Sequence, residues 1–247
     1  MDVDRLRENL AADVGRLREV AEDMTALVPT CPGWIVEDLV RHVADGYLRA
    51  VSRIGPHGSG GPQPPIARGK HSWILLDWAY ASLTAKFEAC ERAARASGSG
   101  WPDPAVGSWI RRAAHETAIH RVDAERACPA PVCPIDQDQA LDGIDEVLTV
   151  FLSQGSRSPG LAAALPGRIR PPVLVAAAGQ GWLVRITPAG VAVDGADPAA
   201  PAAATVRGDP QAVLLWLWRR ADGQAVQAAG DATAVTELRD LLGHATQ

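Results

Sequence analysis

The segment Trp109–His120, WIRRAAHETAIH, combines a helical pattern with two polar side chains at positions where apolar ones are expected. Glu116 and His120 are four residues apart, and residues at that spacing project from the same side of an α-helix. On a helical wheel both belong to a stripe whose other members are apolar or small. The stripe consists of Trp109, Ala113, Glu116, His120, Ala124 and Ala127. A buried carboxylate is costly unless it is paired or binds a metal, so the segment predicts potential metal ligands inside a helical bundle.

A third candidate ligand, His42, lies at the edge of the buried face of another predicted helix. That face holds Ile35, Leu39, Val43 and Gly46. A lone histidine in such a place is more often a packed core residue than a ligand. His42 becomes a candidate ligand because another predicted helix presents Glu116 and His120 to the interior. Two histidines and one carboxylate suit a borderline divalent metal such as zinc or iron and leave a position open for water or substrate. From the residues alone, a metal site and a hydrogen-bonded pair without metal both remain open.

The pair His115-Glu116 resembles the start of the HExxH zinc motif but does not complete it. Ile119 stands where that motif requires its second histidine. His115 also points about 100° away from Glu116 around the helix. We therefore expect His115 to face another helix or solvent rather than the predicted site.

Composition narrows the possible partners and location. The chain has 247 residues, 47% of them hydrophobic, with a net charge of -5. Mild acidity argues against nucleic acid or an anionic membrane as the main partner, and no segment approaches the roughly 20 apolar residues that span a bilayer. The acidic, amphipathic N-terminus does not resemble a signal peptide. We therefore expect a cytoplasmic protein whose cysteines, none of them in a CxxC pair, are reduced.

Hydrophobic periodicity predicts an all-helical first domain, residues 1–153. The predicted helices cover residues 3–24, 35–54, 71–96, 108–127 and 135–152. Glycine- and proline-rich loops at 55–69 and 98–107 separate the second, third and fourth of them.

After residue 153 the pattern changes to that of a smaller α+β domain, residues 161–247. Residues 154–160 have the composition of a linker. Short β-branched segments flanked by glycine predict strands at 172–177, 182–186, 191–193 and 204–207. Two helices are predicted at 209–220 and 232–242, the second with Asp231 as its N-cap.

Three segments of the chain resemble motifs of the mycothiol-dependent maleylpyruvate isomerase family. They are Val28–Val43 (VPTCPGWIVEDLVRHV), Ala114–Glu125 (AHETAIHRVDAE) and Asp142–Leu148 (DGIDEVL). A later run, Gly230-Asp231-Ala232, is similar to the C-terminal domain of that family. The resemblance implies a DinB-like four-helix bundle followed by a small α+β domain related to sterol carrier proteins.

The resemblance also implies a site and a chemistry. Positions His42, Glu116 and His120 match the family's ligands for a divalent metal, usually zinc. Mycothiol would be the thiol cosubstrate of an isomerase or S-transferase that acts on a small electrophilic molecule. Two departures concern the pocket: many members have tryptophan at the position of Val122, and further histidines where this chain has Asp45 and Tyr47. The resemblance therefore does not extend to the identity of the substrate.

Other functions and site residues stay open. A metal-dependent hydrolase would use a bound water in place of the thiol, and a non-catalytic metal- or ligand-binding protein would have the same bundle. A substrate carboxylate has four candidate partners, each equally explained as a solvated side chain: Arg41, Arg49, Arg112 and Arg121. Asp45 and Asp123 are candidates for orienting a ligand imidazole. Tyr47 either reaches the mouth of the pocket or packs in the core.

Overall fold

The computed structural model describes residues 1–54, 72–97, 103–165 and 169–246. The loop predicted at 55–69, the predicted helix start at His71 and residues 98–102 of the second loop lie outside these ranges. Among the described residues, no helix has both the length and the apolar character needed to cross a bilayer. By its internal contacts the chain divides into two units, Met1–Cys133 and Pro134–Gln247.

The first unit consists of four helices, as the periodicity predicts. They are α1 (Val3–Val20), α2 (Val36–Arg53), α3 (Ser72–Ser97) and α4 (Pro104–Ala127). Helix α1 packs on α4, and α2 packs on both α3 and α4. Leucines and valines spaced three or four apart form the core between them, such as Leu10, Val14 and Leu17 on α1 and Leu39 and Val43 on α2.

Helix α4 begins at Pro104, earlier than the predicted residue 108. Asp103 caps it, because its side chain accepts a hydrogen bond from the Ala105 backbone N–H. Proline is tolerated at the first position of a helix, where its missing N–H has no partner in any case. The proline that suggested a loop is therefore the first residue of the helix.

The segment between α1 and α2 folds back on itself. Leu27 and Ile35 form an isolated antiparallel bridge, and the Val28 N–H donates to the Trp34 carbonyl at 2.9 Å. Gly33 has φ +85°, a conformation that favours glycine. This turn ends α1 at Val20, before the predicted residue 24, and carries Cys31 and Trp34 to the start of α2.

The second unit begins with a helix that the sequence placed in the first domain. Helix α5 (Gln137–Glu146) continues as a π-helix (Val147–Gln154), a 3₁₀ turn (Gly155–Arg157) and the short helix α6 (Pro159–Ala162). These elements replace the linker predicted at 154–160. The ranges 1–153 and 161–247 remain a prediction about domains; they follow the change from helical to strand composition. The contacts change earlier, because α5 packs on the helix Pro210–Leu217.

The rest of the second unit is a five-stranded sheet with two helices. Its strands are β1 (Val173–Ala177), β2 (Gln180–Thr187), β3 (Gly190–Ala196), β4 (Ala204–Gly208) and β5 (Gln227–Gly230), and its helices are α7 (Pro210–Leu217) and α8 (Ala232–Ala245). The spatial order is β3-β2-β1-β4-β5, antiparallel except for the β1–β4 pair. Strand β5 was not predicted, because its sequence QAAG is exposed and has no β-branched residue. The predicted fold class, a helical N-terminal part followed by an α+β part, is confirmed.

Candidate metal centre

The structure brings together the three residues that the sequence singled out. His42 on α2 and Glu116 and His120 on α4, hereafter the ligand cluster, have potential ligand atoms that all lie within 4.8 Å of one another. The His42 Nε2 atom is 3.1 Å from Glu116 Oε1. The two imidazole rings meet edge to face, with centroids 4.9 Å apart. Two helices distant in sequence thus bring two nitrogen atoms and one oxygen atom that could hold a metal to one place.

A glycine on α2 permits the close approach of the carboxylate. A Cβ atom built on Gly46 would lie 3.2 Å from Glu116 Oε1, closer than most such contacts in proteins. The residues around this position on α2, such as Val43 and Ala44, are fully buried. The absence of a side chain at Gly46 therefore leaves room for Glu116 beside His42.

The electrostatics of the cluster keep Glu116 ionised. Burial by itself raises the pKa of this carboxyl group, but the hydrogen bond from His42 and the nearby charges of Arg112 and His120 outweigh it and lower the pKa to about 2. The Arg112 Nε atom lies 3.6 Å from Glu116 Oε2. At neutral pH the cluster therefore presents a carboxylate, the form that binds metal.

Asp123 lies against the imidazole of His120, where it can orient the ring, the role for which the sequence made it a candidate. Its Oδ2 atom lies 3.0 Å from His120 Nδ1, and its side chain is fully buried. A hydrogen bond at Nδ1 leaves Nε2 as the ring nitrogen for a ligand, the usual arrangement of metal-binding histidines. Asp45, the other candidate for this role, is exposed on α2.

The loop before α2 contributes two residues that sequence reasoning did not place at the site. Cys31, His120 and Asp123 form a second group that could hold a metal, and it shares His120 with the ligand cluster. The Trp34 ring centroid lies 4.9 Å from that of His42 and 6.3 Å from that of His120. Their only signal in the sequence was the first family motif, VPTCPGW, in which both stand.

Three other residues that the sequence singled out are buried in the interior of the first unit. Arg121 is buried and pairs with Asp13 and Glu125. Tyr47 is buried, its hydroxyl lies 2.6 Å from that of Thr117, and burial raises its pKa. His115 faces the interior of the bundle and is buried there.

The remaining arginines differ in their surroundings. Arg41 donates to Glu37 and to Ser72 at 3.1 Å, and Arg49 is exposed on α2. Of the four arginines considered as carboxylate partners, Arg112 is the one the structure places beside the ligand cluster.

A helical unit with a two-histidine, one-carboxylate cluster, joined to an α+β unit, defines a two-part protein with a candidate metal centre. The family model described as the mycothiol maleylpyruvate isomerase N-terminal domain matches residues 3–125, and the model of the corresponding C-terminal domain matches residues 138–237. The chain therefore belongs to the mycothiol maleylpyruvate isomerase family, and the resemblance seen in the sequence is confirmed.

Two further comparisons were made. A solved structure titled "UbiJ-SCP2 Ubiquinone synthesis protein" is 24% identical over 42% of this chain and 92% of its own, with a TM-score of 0.30. A search of the curated proteins found no match.

Proposed function

We propose that this protein is a metal-dependent enzyme that uses mycothiol either to isomerise a small electrophilic substrate or, as an S-transferase, to join the thiol to it. The observation that carries the metal part is the convergence of His42, Glu116 and His120 within 4.8 Å. Membership of the family supports the thiol part. Zinc is the metal we expect, because two imidazoles and one carboxylate suit it and leave a position open.

Exposure favours the ligand cluster over the second group as the reactive site. The side chains of His42 and Glu116 are 35% and 20% exposed, so small molecules can reach them. The side chain of Asp123 in the second group is 0% exposed, and both of its oxygens already accept hydrogen bonds. A substrate therefore has access to the ligand cluster, whereas the carboxylate of the second group is enclosed by protein.

The residues at the cluster have two proposed roles, which are to bind the cation and to limit the access of water to it. When bound, a divalent cation at this place would supply positive charge that keeps a thiol deprotonated at neutral pH. Glu116 would serve as a ligand and not as a base, because its lone pairs would be committed to the cation. The indole of Trp34 lies against both imidazoles and limits the water that reaches them.

The proposed reaction is the addition of a thiolate to an electrophilic carbon. In an isomerase the thiolate leaves again after a bond has rotated, and in a transferase it stays on the product. We place this chemistry in the cytoplasm, since it needs a reduced low-molecular-weight thiol.

The first test measures metal in protein purified without chelator. We expect about one zinc-like divalent ion per chain, as a site with three protein ligands predicts. The matched control is Asp13→Asn, a substitution of a buried carboxylate in the same unit that contacts Arg121 and not the cluster. Wild-type protein that binds no divalent ion under these conditions would refute the metal part.

The second test is turnover of maleylpyruvate and other electrophiles with and without mycothiol. Turnover that requires the thiol supports the proposal. Hydrolysis of an ester or amide without any thiol would overturn it in favour of a hydrolase. A metal-loaded protein inactive in every one of these assays would be a metal- or ligand-binding protein instead.

A further inference from the structure

We propose that the loop before α2 determines which nitrogen of His120 is offered to the candidate metal centre, and that it acts through Asp123. The inference rests on the proposed function for the identity of the centre. The contacts that carry it belong to the chain itself and can be tested without a metal. Thr30, Cys31 and Asp123 are positioning residues in this account, since they act on the centre through His120.

The carboxylate of Asp123 is held from two sides. Its Oδ1 atom accepts a hydrogen bond from the Thr30 hydroxyl at 2.6 Å. Its Oδ2 atom accepts one from the Cys31 thiol at 3.6 Å and faces His120 Nδ1 at 3.0 Å. An ionised carboxylate can only accept hydrogen bonds. When Asp123 is ionised, its 3.0 Å contact with His120 is a hydrogen bond only if Nδ1 carries the proton of the neutral imidazole, which places the lone pair on Nε2.

The loop that supplies these donors is fixed by its own backbone. The Cys31 N–H donates to the Val28 carbonyl at 3.1 Å, and the Trp34 N–H donates to the Cys31 carbonyl at 3.0 Å. Gly33, at φ +85°, provides the turn between Cys31 and Trp34. Thr30 and Cys31 are thus presented to α4 by a defined turn.

The same loop contacts the other imidazole of the cluster. Trp34 lies against His42 as well as His120. His42 comes from α2 and His120 from α4, so one loop contacts ligands from both helices. A change in the loop should therefore alter the geometry of the cluster even though no loop residue belongs to it.

The experiment reads the tautomer of His120 by nitrogen NMR in the metal-free protein, at a pH where the imidazole is neutral. We expect the Nδ1–H tautomer in the wild type. Asp123→Asn replaces the acceptor by an amide that can also donate, and Thr30→Val with Cys31→Ala removes the two donors. We expect a population of the Nε2–H tautomer in both variants. Their affinity for Zn²⁺, measured calorimetrically, should fall by about 10–100-fold.

The control is Asp13→Asn, which also neutralises a buried aspartate of the first unit but leaves the contacts of His120 in place. It should change stability without changing the tautomer or the Zn²⁺ affinity. An unchanged tautomer in the loop variant or in Asp123→Asn would overturn the inference, as would an Nε2–H tautomer in the wild type. If Asp123→Asn does not fold, the loop variant decides, since Thr30 and Cys31 are only partly buried.

Failure of the proposed function gives a different result. Wild-type protein that binds no Zn²⁺ would refute the metal centre, while the tautomer would still show whether the loop positions His120. A normal Zn²⁺ affinity in all variants, together with an unchanged tautomer, would refute the positioning role and leave the metal centre intact.

Discussion

Helix α4 contributes neighbouring residues, His120 and Arg121, to two polar clusters of different character. His120 belongs to the ligand cluster, whereas Arg121 belongs to a second set, the ion-pair cluster. The ion-pair cluster consists of Asp13, Arg16, Arg121 and Glu125. Arg121 lies 3.0 Å from Asp13 and 2.8 Å from Glu125, and Arg16 lies 2.9 Å from Glu125. The side chains of Arg121 and Glu125 are almost fully enclosed, at 2% and 0% exposure.

The difference shows how a structural cluster can be told from a binding cluster. In the ion-pair cluster two cations face two anions, and the Cys133 carbonyl accepts a further hydrogen bond from Arg121. Its groups satisfy one another, and Arg121 and Glu125 are enclosed by protein, so we infer that the cluster fixes α1 against α4. In the ligand cluster two imidazoles converge on one carboxylate, and His42 remains 35% exposed. Such a set has donor atoms to offer to a molecule from solution.

Removal of Arg121 should have the largest effect, and it tests whether the ion-pair cluster serves stability rather than metal binding. Arg121→Met leaves the buried carboxylates of Asp13 and Glu125 without their shared partner, and removal of one partner from a buried ion pair costs about 3–5 kcal/mol. Urea denaturation should show a loss of this size in the free energy of unfolding. At temperatures where the variant is folded, its Zn²⁺ affinity should match that of the wild type. A large loss of affinity with little loss of stability would show that Arg121 serves the metal centre.

Removal of a ligand should have the converse effect. His42→Ala and His120→Ala each delete one of three ligands, so Zn²⁺ affinity should fall by more than the roughly 10–100-fold that loss of an orienting partner costs. Stability without metal should change little for His42→Ala, because this side chain is partly exposed. Metal analysis and calorimetric titration measure the effect. Retention of one ion per chain by both variants would contradict the ligand assignment.

The contrast also shows which parts of the site the sequence could predict. The spacing of Glu116 and His120 is local, so helical periodicity alone placed them on one stripe. His42 joined them only through the family resemblance, because periodicity cannot show which helices pack together. The same limit applies to Arg121, which one sequence could not distinguish from a solvated side chain. Its partner Asp13 lies on α1, far away in the chain.

The fold was predictable where its signals are local. Patterns in the sequence located four of the strands in the described residues and every α-helix there except the short α6. Strand β5 escaped prediction because its pairing with β4, and not its own composition, makes it a strand. Helix α5 was grouped with the bundle for a similar reason, since only its contacts with α7 assign it to the second unit. Cys31 and Trp34 reach the site because the loop before α2 makes a turn. The sequence indicated that turn only by one glycine and two prolines.

Acid should weaken the metal-free protein through Glu116. Its pKa in the folded protein, about 2, lies below the ordinary value of 4.5. A carboxyl group shifted in this direction stabilises the fold fully above its unfolded pKa, and that contribution is lost as the pH falls towards the folded pKa. Between these two values the wild type should lose on the order of 2 kcal/mol that Glu116→Gln does not lose. Parallel stability curves for the two proteins in chelator would contradict the expected pairing with His42.

The smallest effect is expected from a substitution of Gly46, which should change stability and Zn²⁺ affinity in opposite directions. In Gly46→Ala the new Cβ would lie 3.2 Å from Glu116 Oε1, so the carboxylate must move by a few tenths of an ångström. Alanine stabilises a helix interior by about 1 kcal/mol relative to glycine, whereas the displaced carboxylate should weaken Zn²⁺ binding by up to about tenfold, or 1.4 kcal/mol. Gly15→Ala on α1 is the matched control, since its Cβ would meet nothing within 4 Å. Both variants should gain helix stability, but only Gly46→Ala should lose affinity, because only Gly46 makes room for a ligand. Equal Zn²⁺ affinities in the two variants would mean that the close approach of α2 to Glu116 serves packing alone.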